Sequence, residues 1–244
     1  MIHPLLWVEH IPVLGALTGE GKILATHTVH ATLVMLILVA CAWVANRQLI
    51  AAREAGTALV PDQGLSMRNL AELVVGGITN LSDGVLGRGG RPYVPLFGSF
   101  FLFILIANLM GLVPGFLPPT SEFNITFALG IASFLAYNGI GIRTQGLVNY
   151  LKHFVGPIWW LGILMVPLEL IDNLVRPVSL SLRLFGNMMG DHLVLEIFTD
   201  LTKLIVPVIF YFLGSFISLI QAFVFTLLTI IYVHLAVGHS EDHH

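Results

Sequence analysis

From Thr28 to Ala45 the chain runs for 18 residues without an Asp, Glu, Lys or Arg, and that run limits the fold before any motif does. About 20 residues of apolar helix cross a bilayer core of about 30 Å. Further long apolar stretches follow at about Val94–Val113, Phe123–Ile142, Ile158–Asp200 and Leu204–Val237. Charged residues make up only 10% of the chain against 56% hydrophobic ones, too few to coat a soluble surface of this size. The sequence therefore predicts an all-α polytopic membrane protein, one integral membrane domain over residues 1–244. Inside lipid every backbone polar group must be satisfied within the chain, and helices do this locally.

The predicted order is an outer N-terminal segment (1–27), a first span (28–45), a helix lying in the membrane interface (65–87), a helical hairpin (94–142) and a long helix pair (158–237). The Pro/Gly-rich turn Pro114–Pro119 separates the two arms of the hairpin. At 1.5 Å per residue the last two segments measure roughly 64 and 51 Å, so they must tilt or kink, with Pro177 a candidate kink. About five crossings result. With the N-terminus outside, Arg47, Arg53, Arg68, Arg88, Arg91, Arg143 and Lys152 fall on the inner side and only Lys22 and Lys203 on the outer, which favours N-terminus out and C-terminus in. Trp159 and Trp160 fit an interfacial anchor.

Several functions are excluded. A net charge of −3 without a basic tract gives no footing for nucleic acid. The single cysteine, Cys41, rules out an internal disulfide or a Cys-based metal site, and no cofactor is expected. Leu38-Val39-Ala40-Cys41 looks like a lipoprotein processing site, but the apolar run continues past it. No GxxxxGK[ST] loop is present, so nucleotide binding and catalysis by this chain alone are not expected. His27 and His30 read as outer-surface residues rather than a metal pair, and His239–His244 as a solvated tail.

Arg183 is the residue that most needs a function. It cannot lose its proton, and mid-bilayer it costs at least about 2.5–3.5 kcal/mol on insertion scales. At about 100° per residue, Glu169, Asp172, Arg176, Ser179 and Asn187 all lie within about 40° of it, with Asp191 just beside that face. His192 and Glu196 point nearly the other way. The stripe runs for about 27 Å and cannot face lipid. If the last two helices form an antiparallel hairpin turning at Thr202, Arg183 lies level with Gln221 and Asp191 level with Gly214. A rival reading makes Arg183 a structural ion pair for Asp172 or Asp191.

The strings Arg176–Met188 (RPVSLSLRLFGNM) and Gln221–Thr229 (QAFVFTLLT), supported by Asn108–Pro114 (NLMGLVP), resemble the signature helices of subunit a of F-type ATP synthase. The likeness is specific over about Pro167–Tyr232 and only compositional before Tyr93. It implies two long tilted helices curving around a ring of c subunits, with peripheral-stalk b subunits and the rest of the synthase as partners, in a bacterial inner membrane. It implies a proton-translocating stator subunit: two offset aqueous half-channels separated by Arg183, which faces the ring carboxylates. Glu169 matches a family carboxylate and, with Asp172, falls to the inner half-channel. Asp191, His192 and Glu196 fall to the outer one, with Asn108 and Asn124 helping to line it. Ser179, Asn187 and Gln221 complete the polar pathway. The family commonly has Gly eight residues after the arginine and Glu or His seven before the glutamine; here Asp191 and Gly214 reverse that arrangement. The alternatives are a stand-alone ion channel or carrier, which should show repeated halves, and a purely structural subunit, which would not need Arg183.

Overall fold

The structure is a computed structural model describing residues 26–56, 64, 66–113, 115–150, 162–201 and 205–238. The segment before Thr26, Pro114, Trp159 and Trp160, Thr202, and the tail from His239 lie outside the described residues. Every regular element among those described is helical: α1 (Thr26–Glu54), α2 (Met67–Leu86), α3 (Val94–Met110), α4 (Phe123–Gln145), α5 (Gly162–Leu201) and α6 (Ile205–Gly238). Short 3₁₀ turns at Gly87–Tyr93 and Pro119–Ser121 lead into α3 and α4.

Four described helical stretches are long and apolar enough to cross a membrane, namely Thr26–Glu54, Met67–Met110, Phe123–Gln145 and Val208–Val237. The polar face of α5 keeps it out of that set. Its 40 residues nevertheless measure about 60 Å at 1.5 Å each, twice the bilayer core. α1 continues past the predicted span to Glu54, and Arg47 there lays its guanidinium 3.9 Å from the Trp43 ring centroid. A cation held on an aromatic face suits the headgroup level, where the apolar run gives way to water.

α2 starts at Ser66, whose Oγ accepts from the Asn69 amide at 3.1 Å, and stops at Gly87, where φ is 64°. Both ends follow from sequence: a hydroxyl takes up an otherwise unpaired N–H, and glycine alone tolerates that φ cheaply. The Gln48 side-chain oxygen accepts from the Arg68 backbone amide at 2.9 Å, tying α2 to α1. Beyond α2, Arg91 binds Asp83 through Nε (3.1 and 3.2 Å) and a second nitrogen (2.8 Å).

α6 is central. It packs most extensively against α3 and also against α4 and α5, while α4 lies along α5. Phe100, Ile104, Leu180, Leu184, Met188, Ala222 and Phe225 form one apolar cluster between α3, α5 and α6. α4 meets its neighbours through a stripe of small or polar residues, Thr126, Gly130, Ser133 and Tyr137. A Cβ on Gly130 would fall 2.7 Å from the Pro177 carbonyl oxygen, so only glycine lets α4 come this close to α5. Between helices already surrounded by apolar tails, close packing and hydrogen bonds replace the hydrophobic effect as the source of association.

Candidate functional site: a polar seam on the longest helix

α5 runs unbroken through Pro167 and Pro177, and the second proline shapes what surrounds it. Proline has no N–H, so the carbonyl of Asn173 loses its helical donor. The Tyr137 hydroxyl donates there instead, 3.1 Å from Asn173 O and 2.7 Å from Asn173 Oδ1. Asn173 Nδ2 in turn donates to Asn138 Oδ1 at 3.2 Å, which also accepts from the Tyr150 hydroxyl. The Pro177 carbonyl accepts from Ser181 Oγ at 2.7 Å. A proline thus survives in a bilayer helix because α4 and a local serine satisfy the exposed backbone.

Around α5 the environment changes with angle. Asn173, Pro177, Leu180, Leu184, Met188 and Leu195 are buried and lie about 100° round from Arg183. Leu168, Val175, Leu182 and Leu193 are exposed and lie about 60–100° the other way. The predicted polar stripe is therefore the border between a packed face and an uncovered apolar face. Glu169, Arg176 and Ser179 along it are half-buried; Asp172, Arg183 and Asn187 are exposed.

The two arginines of this border differ sharply. Arg176 forms an ion pair with Asp172 and holds its guanidinium 5.4 Å from the Tyr232 ring centroid. Arg183, two helical turns on, forms no ion pair or hydrogen bond with any described residue. The rival reading of Arg183 as the structural partner of Asp172 is thereby corrected, because Asp172 sits one turn from Arg176 and bonds to it. Nor does Gln221 bind Arg183: it is 3% exposed and accepts from Asn187 Nδ2 at 2.8 Å.

At the far end of the border Asp191 and Gly214 face each other, as the hairpin register predicts. A Cβ on Gly214 would stand 2.6 Å from Asp191 Oδ2 and 2.9 Å from Leu112 Cδ2, so the Asp191 carboxylate occupies the space a side chain at 214 would fill. His192 beside it is half-buried; the side chain of Glu196 lies outside the described residues. Asn108 is buried on α3 and accepts from Thr120 Oγ1 at 2.6 Å. Asn124 is exposed and donates to Glu122 Oε1 at 3.2 Å. Hence Asn187 and Gln221 come together, as do Asp191 and Gly214, while Asn108 and Asn124 sit on separate helices near the α3–α4 connection.

Sequence reading missed Asn173, Tyr137, Asn138 and Tyr150. One signal was available: Asn173 is four residues before Pro177, so a neighbour must donate to its carbonyl. It also placed His30 on the surface, whereas the structure buries it completely, its ring edge-to-face with Phe116. His30 and Val34, one turn apart, share the packed side of α1, a side that an all-apolar run does not mark in the sequence.

The sequence profile of the family described as ATP synthase A chain matches residues 28–234. Among curated proteins, the chain is 41% identical over 244 residues to ATP synthase subunit a 1 of Pelobacter propionicus, covering 100% of both. It is equally identical, over the same length and coverage, to ATP synthase subunit a of Geobacter sulfurreducens. Against ATP synthase subunit a of Bdellovibrio bacteriovorus it is 46% identical over 184 residues, 75% of this chain and 80% of that one.

Proposed function

Because the chain belongs to the ATP synthase A chain family, we propose that it is the proton-translocating membrane subunit of a bacterial F-type ATP synthase and that Arg183 separates two aqueous half-channels. The rest of the synthase is its partner, with a ring of c subunits against the uncovered face of α5 and peripheral-stalk b subunits holding the chain fixed. The N-terminus lies outside and the C-terminus inside, with α5 the fourth crossing and α6 the fifth.

The observation that carries this reading is the contrast between Arg176, paired with Asp172, and Arg183, which no described residue neutralises. A guanidinium left bare in hydrocarbon is costly, so its counter-charge must arrive from a partner. A self-contained channel or carrier would supply it from its own helices. A ring carboxylate is protonated while it moves through lipid, where a bare anion is disfavoured. Beside Arg183 the anion is stabilised, so the proton leaves. Glu169, with Asp172 and Ser179, lines the inner path from which protons depart. Asp191, His192 and Glu196 serve the outer path, and Asn187 with Gln221 holds the two long helices in register beside the arginine. The fixed cation blocks a direct leak, so each proton crosses only by riding the ring, and the ring turns.

Arg183→Lys tests the role. Lysine keeps a charge that it can lose and lacks the planar fork. Proton-driven ATP synthesis in membrane vesicles should fall by about 100-fold or more, the scale set by losing a fixed charge-stabilising donor. The chain should still insert, and Arg176→Lys should keep most of the activity. Normal synthesis by Arg183→Lys would refute the assignment.

A further inference from the structure

Three of the five buried side-chain atoms that find no hydrogen-bond partner among the described residues lie at one end of the molecule, on His27, His30 and Asn108. His30 is wholly buried, and its Nδ1 lies 2.8 Å from the Thr26 carbonyl oxygen. A carbonyl only accepts, so Nδ1 carries the hydrogen and Nε2 of the neutral ring is left an unpaired acceptor. Asn108 commits its Oδ1 to Thr120, which leaves its amide hydrogens, on the orphan Nδ2, as unpaired donors. An unpaired acceptor on α1 and unpaired donors on α3, at the same end of the molecule, are groups that ordered water satisfies. His27 Nε2 stands 4.0 Å from Glu122 Oε2, and both side chains are partly exposed.

This end also reaches the proposed outer path. Asn108 is one helical turn before Leu112, whose Cδ2 borders the space that Asp191 fills opposite Gly214. The titratable groups on the elements packed here are His27 and His30 on α1, Glu122 before α4, and Asp191 with His192 beside it on α5; α3 contributes the neutral Asn108. We propose that Glu122, His27, His30 and Asn108 form a hydrated proton-collecting vestibule at the outer mouth, which raises the rate at which protons reach Asp191. The proposal rests on the reading of Asp191 as the outer proton-exchanging group. Glu122 and His27 take protons from the aqueous phase and pass them through water. His30 gains a proton at Nε2 and returns it from the same atom, because its Nδ1 hydrogen is committed to the backbone. It is therefore a local store rather than a two-sided relay, and no proton is consumed.

The test uses the whole synthase membrane sector in vesicles. Passive proton conduction is driven by a potassium diffusion potential, with the outer-side pH set between about 5.5 and 8.5 to bracket the ordinary histidine pKa. His30→Gln keeps a polar side chain that cannot titrate. It should conduct normally at the acid end and about tenfold more slowly above neutrality, the low end of what charge-focusing clefts add to arrival rates. Slowing by the same factor at every pH, or no slowing at all, overturns the vestibule. If His30→Gln lowers the amount of chain in the membrane, His27→Gln at a partly exposed position carries the same test with the same expected split. Asp191→Gly is the reference: it should fail at every pH. Should it conduct normally, the outer-path reading falls and the vestibule falls with it.

Discussion

Arg176 and Arg183 share a face, a helix and a residue type, yet their neighbours give them different chemistry. Four residues separate Asp172 from Arg176, the spacing at which helix side chains meet, and the pair is closed by that local geometry. No acid stands four residues from Arg183 on the other side: Asn187 does, and it is bound to Gln221. The four-residue spacing was there to be read, yet the sequence reading offered Asp172 to Arg183, and only the structure assigned it to Arg176. Tyr137 is a different case, since the Pro177 gap foretells that a donor is needed without saying which residue provides it. Tyr137→Phe would leave the Asn173 carbonyl and Oδ1 without that donor. An interhelical hydrogen bond in a membrane is worth about 0.6–2 kcal/mol, so the cost should be about 1 kcal/mol. The expected outcome is a fall of about 2–4 °C in the thermal dissociation midpoint of the assembled complex. Tyr93→Phe serves as the control.

Helix by helix, the polar stripe on α5 was readable from its 3.6-residue period, because one long helix fixes the angles of all its side chains. What periodicity could not give is which flank packs. The buried flank is chosen by α4, where Gly130 admits the α5 backbone, and by α6. The facing of Asp191 and Gly214 followed from the antiparallel register alone, and it carries a test. Gly214→Glu by itself should disrupt assembly or activity, since Asp191 already fills the space. Asp191→Gly should stop proton uptake from the outer side, and the double variant Asp191→Gly, Gly214→Glu should recover part of it, because a titratable group is then restored within reach of the same path. Recovery beyond the sum of the single effects marks the coupling. If the double variant transports no better than Asp191→Gly, the acid is not exchangeable between the helices.

For the molecule as a whole, the arginine and lysine bias gives a sidedness that accessible cysteines can check. Val113 and Leu147 are both well exposed, one at the proposed outer end of α3 and one just beyond the proposed inner end of α4. In a Cys41→Ala background, a membrane-impermeant thiol reagent should label Leu147→Cys in inside-out vesicles and Val113→Cys in spheroplasts. Labelling with the opposite pattern would invert the proposed topology and exchange the two proposed half-channels. The uncovered apolar faces of α5 and α6 belong to this scale as well: Leu182 and Met189 on one and Phe212, Phe216 and Phe223 on the other are left exposed by their own chain, as expected of a stator seated among lipid and partner subunits.

The helical membrane class, the angular position of each polar residue on α5 and the facing of Asp191 and Gly214 could all be read from the residues alone. These depend on local periodicity, run length and a simple hairpin, all of which are written along one or two segments. The burial of His30, the closing by Tyr137 of the gap left by Pro177, and the gathering of three orphaned polar atoms beside the α3–α4 connection come instead from the packing of distant helices. Each of those requires knowing which helices touch, at what depth and on which flank. Where helices are apolar on nearly all sides, as α1 and α3 are, hydrophobicity no longer marks the packed face, so small residues, prolines and hydrogen bonds between distant segments make that choice.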